Sequence, residues 1–333
     1  MEAPTLFYGT FSNVAVRARD WVRSLGALGL GLTVAFIVEV IFFSIKSPYF
    51  LTASNFENIG RAVAIIGVTA VGETIVIISG GFDLSVGSVM AAAGMISGYL
   101  VNHGADIWLS FLLALAVGFA IGLANGTIVS YARINPLIAT LATLSIVRGL
   151  CFVVSGGEDL VISNNTYLNI GTNSVLGIPI TVVILLATFG IFGLVMPRSF
   201  FGRYAYAIGS SSRAAKLAGV PVNRWRLAFF ATCGLLAAVS GIITVARTGT
   251  AQPSANLGIE LDVITAVILG GTSLSGGRGR LAGTFLGLLL IGTLNNGLIL
   301  INVQAYWQQV VKGVVLLLAV FWDELRRTRR DED

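Results

Sequence analysis

Glu73, in AVGETIVIISGG, and Asp83, in the Gly-rich break just after it, are carboxylates set in otherwise apolar sequence. A carboxylate in such a place hydrogen-bonds a passing polar solute or works a gate, which makes it a functional candidate by default. The structural alternatives are that backbone or helix-end donors satisfy Glu73, and that Asp83 N-caps the apolar segment Leu84–Val101. Neutral amides and hydroxyls recur in the other apolar runs: Asn125, Asn135, Thr140, Thr143, Ser145, Asn295, Asn296, Gln308 and Gln309. Uncharged donors and acceptors suit a polyhydroxylated solute, and serve equally as hydrogen-bond links between helices. An ion pump would need more carboxylates or a basic relay.

Other chemistry is excluded more sharply. A phosphate-binding P-loop needs Gly-Lys-Ser/Thr, yet Lys46, Lys216 and Lys312 follow Ile, Ala and Val. No ATP site of that type exists in this chain. His103 is the single histidine and lies in a short loop, so a histidine relay or metal cluster is excluded. Cys151 and Cys233 sit in apolar segments and read as small buried hydrophobes, with no disulfide framework or metal site.

These residues are carried by a chain that is 55% hydrophobic and 11% charged, against about 25% charged in a soluble domain. Apolar runs of about 18 residues or more recur from end to end, which predicts an all-α, polytopic membrane protein. A β-barrel would instead show alternating segments of about ten residues. The expected spans are about Leu25–Phe43, Arg61–Ser79, Leu84–Val101, Ile107–Ala132, Leu137–Val154, Pro179–Met196, Leu227–Ala246, Ile259–Leu269, Leu281–Ile301 and Tyr306–Trp322. That is about ten, several of them short or Gly-interrupted and open to a re-entrant course. The expected organisation is a polar segment at 1–24, a membrane domain at 25–322 and a tail at 323–333. Glu39 in the first span is costly at mid-bilayer, by about 2.5 kcal/mol or more, unless it faces protein or water.

Charge placement predicts the topology. Arg17, Arg19, Arg23, Arg133, the central loop at 197–226, Arg278, Arg280 and the arginines of ELRRTRR fall on one side, and chiefly Lys46 and Arg61 on the other. By the positive-inside rule both termini and the central loop are cytoplasmic. The sequence pI of about 9.5 therefore reports topology, since the basic residues cluster at helix ends and form no nucleic-acid-binding stripe. The loops at 156–178 and 248–261 are then external, polar and nearly free of basic residues. One internal echo is visible: GGFDLSVG at 80–87 and GGTSLSGG at 270–277 share GGxxLSxG, the kind of Gly-broken helix that duplicated transporter halves use.

The central loop holds Arg198, Arg203, Arg213, Lys216, Arg224 and Arg226, six of the 21 Lys and Arg residues. Within it SSSRAAKLAGVPV reads as a short helix N-capped by Ser212 and ended by Gly219 before Pro221. Its small residues, Ala214, Ala215, Leu217 and Ala218, suit a groove on another protein, so a charge introduced at Ala215 would sit on a docking face.

Five blocks, in order GETIVIISGGFDLSVGS, NPLIATLATLSIVRGL, FGRYAYAIGSSSRAAKLAGVPV, ILGGTSLSGGRGRLAGTFLG and AYWQQVVKGVVLLLAV, resemble the permease subunit of bacterial ABC importers of the ribose, xylose and galactose class, from about Pro48 to Trp322. The resemblance implies a multi-pass inner-membrane subunit with cytoplasmic termini, working as a pair, a homodimer by preference or a heterodimer. It implies a separate cytoplasmic ABC ATPase that holds ATP and Mg, a periplasmic or extracellular sugar-binding protein, surrounding membrane lipid, and no nucleic acid or cofactor in this chain. It also makes Gly202–Val222 the coupling loop, with Gly202, Arg203, Ala207, Gly209, Arg213, Ala214, Ala215, Lys216 and Gly219 as coupling residues. Glu73, Asp83, Asn125, Asn135, Thr140, Asn295 and Asn296 are candidates for the solute path or gate. Ser210-Ser211 stands where the family more usually has Gly-Asn. The rival readings are a secondary transporter driven by an ion gradient and a passive channel; sparse carboxylates, the missing histidine relay and the long basic loop argue against the first.

Overall fold

The computed structural model describes residues 30–331; Arg17, Arg19, Arg23 and the 1–24 segment lie outside the described residues. The first helix, α1, occupies 30–46. It is followed by α2 (Ala53–Ile78), α3 (Val86–Asn102), α4 (Ile107–Ser130), α5 (Pro136–Ser155), α6 (Asn165–Thr172), α7 (Ile180–Arg198), α8 (Phe200–Ser210), α9 (Ser212–Leu217), α10 (Val222–Thr248), α11 (Ile259–Leu269), α12 (Leu281–Leu300) and α13 (Ala305–Asp331). Six of these, α2, α4, α5, α7, α10 and α12, are long and apolar enough to cross a membrane, and α3 and Ala305–Phe321 of α13 are shorter apolar helices. The all-α polytopic expectation holds in that form. α13 continues past its apolar part through the expected tail boundary to Asp331.

Helix starts follow local chemistry. The Thr52 side chain accepts the Asn55 N–H, so α2 begins well before Arg61, where apolar content alone placed it. Asp106 caps α4 through the N–H groups of Trp108 and Leu109, and Asn135 caps α5, with Pro136 in its first turn. Gly156 and Gly249 end α5 and α10 in the left-handed region.

α2 and α10 form the centre. Every residue of α2 from Val63 to Ile78 is buried, whereas α4, α5 and α7 expose most of their apolar surface, as at Leu112, Val153 and Leu194. Small residues let the central helices touch: a Cβ at Gly122 of α4 would collide with the Phe230 carbonyl of α10, and one at Gly234 with the Gly118 carbonyl. Hydroxyls cross the same centre. Thr69 Oγ1 donates to Ser240 Oγ at 2.8 Å, and Thr74 and Thr284 share a hydrogen bond at 3.0 Å.

The loop at 156–178 packs as α6 plus a two-residue hairpin, β2 (Ser174–Val175) with β3 (Ile178–Pro179). Another two-residue pair, β1 (Leu160–Val161) with β4 (Thr250–Ala251), ties it to the loop after α10 in the register Leu160↔Ala251. Arg61 donates to the Gly171 and Thr172 carbonyls at the end of α6, and Tyr167 packs fully buried with its hydroxyl 2.6 Å from Ser97 Oγ. These segments gather at one end of the helices, and the basic loop lies at the other.

Candidate functional site

The two Gly-rich echoes are both helix breaks, after α2 and after α11, and they meet. The Gly277 N–H donates to the Ile78 carbonyl at 2.8 Å. Gly277 adopts φ +71, a left-handed conformation open to glycine at little cost. The end of α8 seats on the same junction, because a Cβ at Gly209 would collide with the Ile78 carbonyl. Gly202 turns the chain equally closely past the Met196 carbonyl at the end of α7.

The basic loop is thus mostly helical. Ser199 caps α8 and Ser211 caps α9, one residue before the expected Ser212. α8 is held to α10 by an aromatic cluster: Phe201 to Phe229 at 5.0 Å and Tyr204 to Trp225 at 5.1 Å between ring centres. Tyr206 donates to the Gly279 carbonyl at 2.9 Å. Burial pushes its phenol above the ordinary range, partly offset by the Arg280 guanidinium.

The expected docking face needs a correction. Ala215 is 6% exposed and packs inward against the main core, so a charge there would be buried in the protein itself. Gly202 and Gly209 likewise face the body. Arg203, Ala207, Arg213, Ala214, Lys216 and Gly219 are exposed, and so are the other two residues expected on the docking face, Leu217 at 84% and Ala218. Ala214, Leu217 and Ala218 share one face of α9 by their helical spacing.

Three of the polar candidates form one network in the protein interior. Glu73 Oε1 accepts the Asp83 N–H at 3.2 Å, and Asp83 Oδ1 accepts the Ser85 N–H at 3.0 Å. Asn125 Nδ2 donates to Ser85 Oγ at 2.9 Å and to Asp83 Oδ1 at 3.3 Å, while Asn125 Oδ1 accepts the Thr143 hydroxyl at 2.6 Å. α2, the break, α3, α4 and α5 are joined by this chain. Asp83 orders the backbone just ahead of α3, whose N-cap position is Ser85. Cys233, expected to be an inert hydrophobe, donates its thiol to Glu73 Oε2 at 3.7 Å.

The remaining candidates lie elsewhere. Asn135 is exposed at the basic-loop end and caps α5; Thr140 is buried and donates to the Pro136 carbonyl at 2.8 Å. Asn296 donates to Asn55 Oδ1 at 2.9 Å, and Asn295 reaches Asp262 Oδ2 at 3.4 Å. Asp262 also pairs with Lys312 at 2.7 Å, linking α11, α12 and α13. Complementary charges in the two apolar segments were the signal available for that pair, and pattern reading missed it. Arg148 is a second omission: its guanidinium donates to the Pro253 and Ala255 carbonyls at 2.7 Å, drawing the 252–258 loop onto α5. Glu39 keeps both carboxyl oxygens buried with no hydrogen-bond partner among the described residues.

Comparison with known proteins places this architecture. The family described as branched-chain amino acid transport system / permease component matches residues 55–320. The ribose import permease protein of Bacillus subtilis (strain 168) is 41% identical over 296 residues, covering 88% of this chain and 92% of that protein. The ribose import permease protein of Escherichia coli (strain K12) is 40% identical over 298 residues, 88% of this chain and 93% of that one. The L-arabinose transport system permease protein of the same strain is 38% identical over 297 residues, 89% and 90% of the two chains. No solved structure matches significantly. With one family covering most of its length and relatives aligned nearly end to end, this chain belongs to the transport-system permease component family.

Proposed function

We propose that this chain is the membrane permease subunit of an ATP-driven importer of a sugar-like solute. The observation that carries the reading is the alignment, at 41% and 38% identity and over 88% and 89% of this chain, with a ribose and an L-arabinose import permease. The neutral amides and hydroxyls of the apolar segments are consistent with a polyhydroxylated cargo. The permeases work in pairs, a homodimer in the simplest arrangement and a heterodimer in the other.

The basic-loop end faces the cytoplasm. Arg133, Arg198, Arg203, Arg213, Lys216, Arg224, Arg226, Arg278 and Arg280 crowd that end, and Lys46, Arg61 and Arg247 belong to the other. A cytoplasmic ABC ATPase, which holds ATP and Mg, docks on the exposed face of α9. A periplasmic or extracellular sugar-binding protein docks on the α6 platform, and lipid covers the outer faces of α4, α5 and α7. This subunit makes and breaks no covalent bonds. ATP inside and the loaded receptor outside each bind one of two states better, and so shift the pair between inward-open and outward-open forms. Movement of α9 reaches α2, α10 and α12 through the Ile78–Gly277 junction and the Phe201–Trp225–Phe229 cluster. Glu73, Asp83 and Asn125 then act by holding the break between α2 and α3.

The test is affinity capture of the chain from gently solubilised native membranes, followed by mass spectrometry. Recovery of a P-loop ATPase in near-equal amount, lost in Leu217→Asp, supports the importer. Absence of any ATPase, under conditions where another ABC complex survives, transfers the lead to gradient-driven or passive transport.

A further inference from the structure

Behind α9, between the basic loop, the turn joining α4 to α5 and the break after α2, lies a cavity of about 520 Å³. Four cationic side chains line it, Arg133, Arg213, Lys216 and Arg226, and no carboxylate does. None of the four forms an ion pair with an acidic side chain among the described residues. Arg226 donates to Ser212 Oγ at 2.7 Å, which fixes its guanidinium at the wall.

A second observation is independent of charge. Ser130, also in the wall, is 4% exposed, and its hydroxyl has no hydrogen-bond partner among the described residues. A buried hydroxyl without a partner is unfavourable, so a ligand that accepts from it is favoured. The first turns of α5 and α10, at Pro136 and at Val222 and Asn223, complete the wall and present the positive ends of two long helices.

We propose that this cavity binds a phosphate group, borne by an anionic phospholipid headgroup or by a soluble phosphorylated metabolite, and that its occupancy braces α9 against the α4–α5 turn. Phosphate accepts forked hydrogen bonds from arginine and relieves the mutual repulsion of four cations, which a neutral sugar does not. The cavity adjoins the ATPase-facing side of α9 through Arg213 and Lys216 but leaves out its apolar stripe, since Ala214, Leu217 and Ala218 are absent from the wall. Its test does not depend on which solute is carried.

The experiment is thermal unfolding of the purified full-length chain in nanodiscs. Inorganic phosphate and glycerol 3-phosphate are titrated against chloride at equal ionic strength, and phosphatidylglycerol discs are compared with phosphatidylcholine discs. A saturable rise of about 2–4 °C supports the proposal. A response to the soluble probes identifies a metabolite site, and one confined to phosphatidylglycerol identifies a lipid site. Arg133→Gln/Arg226→Gln and the milder Ser130→Ala should each reduce the response, while Arg198→Gln, which removes a charge outside the cavity, should retain it. No difference from chloride and phosphatidylcholine, or an equal response in all variants, overturns the proposal. Loss of ATPase capture in Arg133→Glu without any phosphate response would assign the cavity to an acidic segment of the ATPase instead.

Discussion

The Gly277 N–H donates to the Ile78 carbonyl at 2.8 Å, joining the two Gly-rich breaks that share GGxxLSxG. Because Gly209 packs against the same carbonyl, one junction supports the end of α2, the break after α11 and the end of α8. Gly209→Ala should therefore loosen the basic loop at about 1–3 kcal/mol and lower ATP-driven uptake more than chain abundance. Uptake per inserted chain in reconstituted vesicles measures this; unchanged uptake would remove the junction from coupling.

Two residues of α9 separate docking from packing. Leu217→Asp should leave insertion and thermal stability near wild type, within about 0.5 kcal/mol, while abolishing ATPase capture. Ala215→Asp should instead lower the unfolding temperature, because it forces a carboxylate into the core. Normal folding of Ala215→Asp would show that Ala215 does not face the core.

Glu73 accepts one backbone N–H and one thiol. Glu73→Gln keeps an acceptor for the Asp83 N–H and should support uptake that varies little with pH, as expected if no proton is carried. Glu73→Ala leaves that buried N–H unpaired and should cost about 1–3 kcal/mol. A steep new pH dependence in the Gln variant would revive the gradient-driven reading.

Asn125 bonds both Asp83 and Thr143. Asn125→Leu should lower thermal stability by about 2–4 kcal/mol, with a smaller loss when combined with Thr143→Val. Additive losses in that double-mutant cycle would show that the two residues act independently.

Lys312 and Asp262 form an ion pair between apolar helices. Lys312→Met alone should cost about 3–5 kcal/mol, by stranding the Asp262 carboxylate, and Lys312→Met/Asp262→Leu should recover much of it. Thermal melts of the three variants decide this, and equal melting of both single and double variants would deny the pair its structural role.

Composition and periodicity were enough for the all-α membrane class and for most helix cores, since runs long enough to span a bilayer have few other uses. Motif blocks carried the family. Helix faces were not legible. α4 and α7 are apolar all round, as is α12, and lipid and protein interior are equally apolar, so hydropathy cannot say which side of such a helix packs inward. At α9, Ala214, Ala215 and Ala218 are equally small, so side-chain type did not distinguish the buried Ala215 from its exposed neighbours, and the thiol of Cys233 gave no sign that Glu73 faces it. The pairings Asp262–Lys312 and Arg148 with the 252–258 loop join residues far apart in the chain, and their partners are set by which helices meet. Local sequence determined where helices and breaks occur, because capping and glycine conformation act over a few residues. Tertiary structure alone decided which breaks touch and which polar groups are sealed inside, because those outcomes depend on close packing between segments that no local pattern encodes.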